Sequence, residues 1–328
     1  MKHIFVLFIS TLCYNFAFAQ FDPQIGYGKN GAIYKDSSII KSWATSCSLN
    51  VGKRDISLPS SPLVNSGNEI SALGKAGTDG VVSLGDGGFA ILQFAKPVTN
   101  GEGPDFAVYE NGFTFQTLGN AFLELAFVEV SSDGTNYYRF PAISHTDTTT
   151  QTGSFQVLDA RKLNNLAGKY IFAYGTPFDL EELKTVVGLD VDRITHVKII
   201  DVIGSIDNQY ASRDSRGAKV NDPWPTNFPS AGFDLDAVAV LNELNATPIN
   251  QFVTENINIY PNPISNGEIL TIQSSELISD LQMVDLLGNN VALRINEEHL
   301  LIDNTNAGVY FLSFNLSNST HYQKIMVR

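Results

Sequence analysis

The residues best equipped for chemistry in this 328-residue chain are acids, 34 Asp and Glu against 21 Lys and Arg. Three of them fall where strand alternation, with successive side chains on opposite faces, gives them apolar neighbours. In Asp105–Glu110, Glu110 shares a face with Phe106 and Val108. In Phe122–Val130, Glu124 lies with Phe122, Ala126, Val128 and Val130, and in Thr195–Ile203, Asp201 lies with Val197, Ile199 and Ile203. An unpaired carboxylate is costly to bury, so each needs a partner. One set of partners is Arg139, Lys198 or backbone N–H groups. The other is Ca²⁺, a hard cation satisfied by clustered carboxylate and carbonyl oxygens. Asp86, Asp105, Glu110, Asp201, Asp234 and Asp236 all stand near Gly-containing turns or strand ends and are the expected ligands of a structural calcium. No EF-hand loop or Gly/Asp nonapeptide repeat accompanies them.

A second group is aromatic. Ser205–Gly232 has no clear periodicity, and loops of that length in compact domains are functional or disordered. Within it Tyr210, Arg213, Trp224 and Phe228 combine apolar area with hydrogen-bonding groups, which suits the face of a sugar or a corrin. Pro223-Trp224-Pro225 reads equally well as a plug at the end of a sandwich, because Trp is usually well buried. Phe113 and Phe115, after Glu110-Asn111-Gly112, form a second aromatic loop open to the same two readings. Ready-made catalytic motifs are absent or fail on context. Gly26-Tyr27-Gly28-Lys29-Asn30-Gly31 matches G-x-G-x-x-G but follows no strand and opens no helix, both of which a dinucleotide site needs. No Walker A, H-E-x-x-H, C-x-x-C or G-x-S-x-G occurs, and His145, His196, His299 and His321 are not paired at metal spacing. Cys47 lacks a flanking base to activate it, so it reads as a small buried side chain.

The elements that must carry these residues are strands. The dominant period is two, over Phe89–Phe94, Phe106–Glu110, Leu123–Val130, Tyr137–Phe140, Lys169–Tyr174, Thr195–Ile203 and Ala237–Leu241. Ser132-Asp133-Gly134 is a hairpin signal between two of them. Helical periodicity is confined to Ala160–Leu166 and Asp179–Val187. Many short strands with Gly-rich turns predict an all-β protein, a jelly-roll-like β-sandwich followed by a small Ig-like β-sandwich.

Met1–Ala19 reads as a secretory signal peptide, with Lys2, an apolar stretch and Ala17-Phe18-Ala19 as the cleavage site. The expected organisation is signal peptide 1–19, cargo domain 20–244, linker 245–256 and tail domain 257–328. Cleavage leaves Cys47 as the single cysteine, so no intramolecular disulfide is available. With a net charge of −13, the chain offers no basic footprint for nucleic acid or anionic lipid.

The tail reads INIYPNPISNGEILTI, then MVDLLGNNV, NAGVYFLSF and a terminal KIMVR. Tyr260-Pro261-Asn262-Pro263 forces a turn between short strands, and Leu287-Gly288-Asn289-Asn290 is a hairpin turn. These segments, with Gly308, Tyr310 and Lys324 among them, closely resemble the C-terminal sorting domain of the type IX secretion system. The resemblance implies export across a Gram-negative outer membrane by that machinery, with the tail commonly removed and the cargo released or attached to the cell surface.

The middle domain resembles a family of secreted bacterial surface proteins, some with this sorting tail and others with PEP-type C-terminal anchors. The motifs are SLGDGGFAILQF, GEGPDFAVYENGF, FLELAFVEVSSDG, LAGKYIFAYGTPFDL, HVKIIDVIG and DPWPTNFPSAGFDLDAVAVLN. The pattern is similar to galactose-binding-type jelly rolls, whose end loops bind sugars or other small ligands. Relatives lying near vitamin B12 uptake systems make cobalamin a candidate ligand and an outer-membrane uptake receptor a candidate partner. The leading expectation is a surface binding protein for a carbohydrate or another small ligand. The alternatives are an extracellular glycoside hydrolase using paired carboxylates and a structural or adhesive protein without a small ligand.

Overall fold

The computed structural model describes residues 21–114, 119–244, 257–274, 278–296, 299–303, 305–316 and 319–328. The expected signal peptide, the linker 245–256 and Phe115 lie outside the described residues. The chain divides into two compact units, one ending at Asn245 and the other beginning at Ala246.

The larger unit is a β-sandwich. Its principal strands are β1 (Ser46–Asn50), β2 (Phe89–Val98), β3 (Phe106–Glu110), β4 (Ala126–Ser131), β5 (Tyr174–Phe178), β6 (Ile194–Asp201) and β7 (Asp234–Val240). One sheet runs β1-β2-β6-β4 and ends on Tyr138–Arg139. The other is centred on β5-β3-β7, with short strands at Ile33–Tyr34, Ser42–Trp43 and Val82–Ser83. All the strand pairs are antiparallel, and from β2 onward successive principal strands alternate between the sheets, which is the jelly-roll pattern.

The alternation seen in sequence is the reason the sheets stack. Phe106 and Val108 of β3 and Val238 and Val240 of β7 meet Ala90 and Leu92 of β2, Val128 and Val130 of β4, and Val197 and Ile199 of β6 in one buried core. Phe106 stacks on Phe178 at 5.3 Å between ring centroids. Each such Val, Leu or Phe contributes roughly 1.5–3 kcal/mol by leaving water.

The hairpin expected at Ser132-Asp133-Gly134 joins β4 to Tyr138–Arg139. Asp133 accepts from the amides of Thr135 and Asn136, both at 2.8 Å, and Gly134 takes φ +75°. Three expectations need correction. The strand expected over Leu123–Val130 begins only at Ala126, so Glu124 lies in the segment leading into it and not on a strand face. The strand expected over Lys169–Tyr174 begins only at Tyr174 and runs to Phe178, because residues 169–173 turn and bury Lys169, Tyr170 and Ala173 on the way. The expected helices shrink to single 3₁₀ turns at Ala160–Lys162 and Leu180–Leu183, capped by Asp159 and Asp179.

The smaller unit is a second sandwich. Strands β8 (Asn258–Tyr260), β9 (Ile269–Gln273) and β11 (His299–Leu301) form one sheet with Arg294–Asn296. The other holds β10 (Ile278–Val284), β12 (Gly308–Leu316), β13 (Ser319–Val327) and Asn290–Val291. Leu270, Ile272, Met283, Leu312, Phe314 and Ile325 fill the space between them. Asn262 of the YPNP turn is clasped to β13: its Nδ2 donates to the Lys324 carbonyl at 2.7 Å and its Oδ1 accepts from Met326 N at 2.9 Å. In the DLLG turn, Asp285 accepts from Leu287 N and Asn289 N, both at 2.8 Å, and Gly288 takes φ +82°. Tyr310 Oη donates to the Asn306 carbonyl at 2.7 Å, tying β12 to the loop before it.

Candidate ligand-binding site

The acids of the larger unit separate into three places. Glu110 ends β3, Asp201 ends β6, Asp234 starts β7, Glu124 precedes β4 and Asp86 precedes β2. The register sets Asp201 opposite Ala126 and Leu235 opposite Glu110, so these termini gather at one end of the sandwich. All five side chains are buried, and Asp222 of the long loop is buried with them. Asp201 accepts from Phe233 N at 2.7 Å and Gly87 N at 3.0 Å. Asp222 accepts from Leu125 N at 2.9 Å, and Asp234 from Ser83 Oγ and from Asn111 Nδ2 at 3.0 Å.

Arg139 and Lys198 do not serve as partners. Both turn to Glu129, Arg139 at 2.8 Å and Lys198 at 3.8 Å. Among the described residues no Lys or Arg pairs with any of the six acids. Burial therefore pushes their carboxyl groups above the usual carboxylate range, and neighbouring carboxylates push Glu110, Glu124, Asp201 and Asp222 further.

Asp105 is elsewhere. It precedes the other end of β3, where Oδ1 accepts from Gly101 N and Asn242 Nδ2 and Oδ2 accepts from Leu180 N. Asp236 is the third case. Leu235 pairs with Glu110 and Ala237 with Tyr109, so β7 carries a bulge and Asp236 is its extra residue. Bulges re-aim side chains. Leu235 packs into the main core and Ala237 onto the outer face of the sheet, while Asp236 lines a cavity on that outer side.

The cavity measures about 590 Å³ and is lined by Asn111, Phe113, Thr114, Phe172 and Asp236, among others. Phe113 and Phe172 each keep 45% of their surface exposed. Asp236 is 3% exposed; Oδ1 accepts from Gly77 N at 2.9 Å, while Oδ2 is buried with no hydrogen-bond partner. Burial raises its carboxyl above the ordinary range against the opposing pull of the Gly77 amide and Lys35. Lys35 stands over the Phe172 ring, its Nζ 5.0 Å from the centroid. Gly77 is needed where it is. Its φ is +77°, and a Cβ there would lie 2.8 Å from Phe172 Cζ.

Phe113 also starts a chain of rings. It stacks on Phe122 at 5.1 Å, Phe122 meets Phe155 at 6.4 Å, and Phe155 meets Phe228 at 5.6 Å. The two loops singled out in the sequence are thus joined through Phe113 and Phe228. Trp224 is half-buried at the acidic end, where Nε1 donates to Asp86 Oδ2 at 3.1 Å. Tyr210 and Arg213 sit apart in a local hairpin, Arg213 bonding the Gly217 carbonyl and Asn208 Oδ1. Sequence reasoning missed Phe122, Phe155 and Phe172 as ring partners. Phe155 carried a signal, a lone aromatic in a polar Thr/Gln/Ser run; Phe172 was hidden by the strand expected there.

Geometry and motif together make the smaller unit an export tag on a secreted cargo. Residues 258–328 match the secretion system C-terminal sorting domain, the type IX tail. The protein is accordingly a secreted one of the outer surface of a Gram-negative bacterium, and its tail engages the type IX machinery. No curated protein matches the chain. Among solved structures it is similar to one described as "Biofilm associated protein - BSP domain", at 9% identity over 88% of this chain, with a TM-score of 0.19. The chain spans about half of that structure's length, 52%. A similarity at that score carries no argument about fold or function.

Proposed function

We propose that the larger unit is a surface binding module that takes a carbohydrate or another small ring-shaped, hydroxyl-bearing ligand in the Phe113–Phe172 cavity. The observation that carries this is Asp236 Oδ2, a buried acceptor without a partner, set in the wall of a cavity flanked by two half-exposed phenylalanines. Aromatic faces receive the C–H side of a sugar ring, and a fixed acceptor orients its hydroxyl groups. The galactose-binding-type resemblance supports the same reading, with cobalamin as the narrower candidate. Glycoside hydrolysis is less well supported, since a hydrolase needs two carboxyl groups across the bond. Among the described lining residues of this cavity, Asp236 is the one carboxylate. The ring series Phe113–Phe122–Phe155–Phe228, exposed at every ring but the buried Phe122, favours, as a second reading, an adhesive contact with another macromolecule.

The test is a thermal-shift and calorimetric screen of the purified protein against glycans and cobalamin, repeated with Phe172→Ala and Asp236→Asn. Saturable binding that weakens at least tenfold in both variants supports the cavity. A ligand bound equally well by both variants places the site elsewhere, and binding lost in Phe155→Ala instead supports the ring series.

A further inference from the structure

A second cavity in the larger unit, of about 440 Å³, is lined by Asp22, Asn165, Lys169, Tyr170, Thr176 and Glu182, among others. It shares none of its lining with the Phe113–Phe172 cavity. Lys169 is 5% exposed, and its Nζ makes neither an ion pair nor a hydrogen bond among the described residues. Rings surround it instead, with the Tyr170 centroid 5.4 Å and the Phe21 centroid 5.8 Å from Nζ. Ring faces attract a cation but do not replace the water it has left. Burial accordingly brings the ammonium down to about 8, against the opposing pull of Asp22 and Asp159. Thr176 stands in the same wall, 4% exposed, and its Oγ1 is buried with no hydrogen-bond partner. An unpaired cation and an unpaired hydroxyl are each costly to bury. Two such donors in one cavity are what a carboxylate ligand requires.

We propose that this second cavity binds a free aliphatic amino acid, its carboxylate received by Lys169 and Thr176 and its ammonium by Asp22 and Glu182. The acids of the wall select a zwitterion over a plain anion. Asp22, Asp179 and Glu182 set three carboxyl groups against the one ammonium of Lys169, so a simple anion would be repelled by most of the lining. An ammonium on the same ligand turns that repulsion into attraction. Lys169 and Thr176 are buried whereas Asp22 and Glu182 are exposed, which orients the ligand with its carboxylate inward. Asp22 Oδ2 accepts from Gly31 N at 2.8 Å and Glu182 Oε2 from Asn165 Nδ2 at 2.6 Å, so one oxygen of each remains for the ligand. Asn165 holds Glu182 from φ +50°, the kind of strained backbone that clusters at ligand sites. Phe21, Pro104 and Pro177 supply apolar wall for an aliphatic side chain.

The experiment is calorimetry of the purified protein at neutral pH with leucine, with isocaproate, which lacks the ammonium, and with isoamylamine, which lacks the carboxylate. Leucine should bind saturably and each analogue at least tenfold more weakly. Lys169→Met and Thr176→Val replace the unpaired groups by apolar ones of similar shape, so both should melt no lower than wild type. Both should nevertheless weaken leucine binding at least tenfold. Phe172→Ala, in the other cavity, should leave leucine binding unchanged, which separates this proposal from the carbohydrate site. No saturable leucine binding at millimolar concentration overturns the proposal, as does isocaproate binding as tightly as leucine. Leucine binding that survives intact in Thr176→Val overturns it too, and this variant decides the matter should Lys169→Met fail to fold. Leucine binding lost in Phe172→Ala would assign the ligand to the other cavity and overturn this one.

Discussion

Asp105 closes three hydrogen bonds from three separate segments, which makes its replacement the most discriminating perturbation of the larger unit. Gly101 N and Asn242 Nδ2 donate to Oδ1 at 2.8 and 2.9 Å, and Leu180 N donates to Oδ2 at 2.7 Å. Asp105→Ala leaves all three donors without an acceptor, and a buried donor left unsatisfied costs about 1–3 kcal/mol. Leu180 is fully buried and bears the whole cost, whereas exposed Gly101 and half-buried Asn242 recover part of theirs from water. The expected loss is about 3–5 kcal/mol. Asp105→Asn keeps the shape but turns an N–H₂ toward one donor. It also removes a charge that burial disfavours, since the Asp105 carboxyl stands above its usual range despite its three donors. Its loss should stay near 1–2 kcal/mol. Urea unfolding followed by the fluorescence of Trp43 and Trp224, both in the larger unit, measures these losses with Ca²⁺ and with EDTA. The reasoning fails if Asp105→Asn is as stable as wild type. It fails equally if the loss disappears in EDTA, because a calcium ligand and not a backbone clamp would then have been removed.

Trp224→Phe keeps an aromatic ring but removes the N–H that meets Asp86 Oδ2; a loss of about 1–2 kcal/mol is expected in the same unfolding assay, and an unchanged midpoint would show the bond to be idle. In EDTA the wild-type Tm should fall as pH rises from 5 to 8. The folded-state carboxyl pKa values of Glu110, Glu124, Asp201 and Asp222 lie above their unfolded values, so their stabilising contribution is complete at low pH and is lost as pH climbs through the folded values. A Tm that rises over that interval contradicts the sign. The Cys47 thiol, pushed up to about 12 by burial, should resist disulfide-exchange reagents at pH 8 until the protein unfolds; stoichiometric labelling of the native protein would refute this. Asn262→Ala removes both bonds to β13 and should destabilise the tail by roughly 1–2 kcal/mol, read as a lower export yield in a surface-fraction immunoblot.

Strand parity made Glu110 and Asp201 legible as inward-facing acids, because a two-residue period needs only the local sequence. Which acids meet is a different matter. It depends on antiparallel register between segments far apart in the chain, such as β3 with β7, and no local pattern carries that. The same limit explains Asp105. In sequence it stands near a glycine-containing turn like the others, yet it occupies the opposite end of β3 from Glu110. Asp236 shows the limit most clearly: strict alternation would give it the face of Asp234 and Val238, but the bulge between Leu235 and Ala237 breaks the count. The tail was legible because its motifs are turn chemistry: Asp285 bonds the amides of Leu287 and Asn289 just beyond it, although the clasp of Asn262 on distant β13 is no more local than the meeting of the acids.

The bulge also ties the acidic end of the sandwich to the cavity. Asp234 at the start of β7 accepts from Asn111, and Asp236, two residues on, lines the cavity that Asn111 also walls. Asn111-Gly112-Phe113 makes the same connection from β3, since Asn111 bonds Asp234, Gly112 N bonds Glu110, and Phe113 lines the cavity. These bonds stiffen both the bulge and the loop that shape the cavity. Loosening them should then weaken ligand binding without touching the ligand, by raising the ordering cost of Phe113 and Asp236. Calorimetry of an identified ligand with wild type and with Ser83→Ala, which removes a hydrogen bond to Asp234, decides this: equal affinity in the two proteins would show that the acidic end and the cavity are neighbours without coupling.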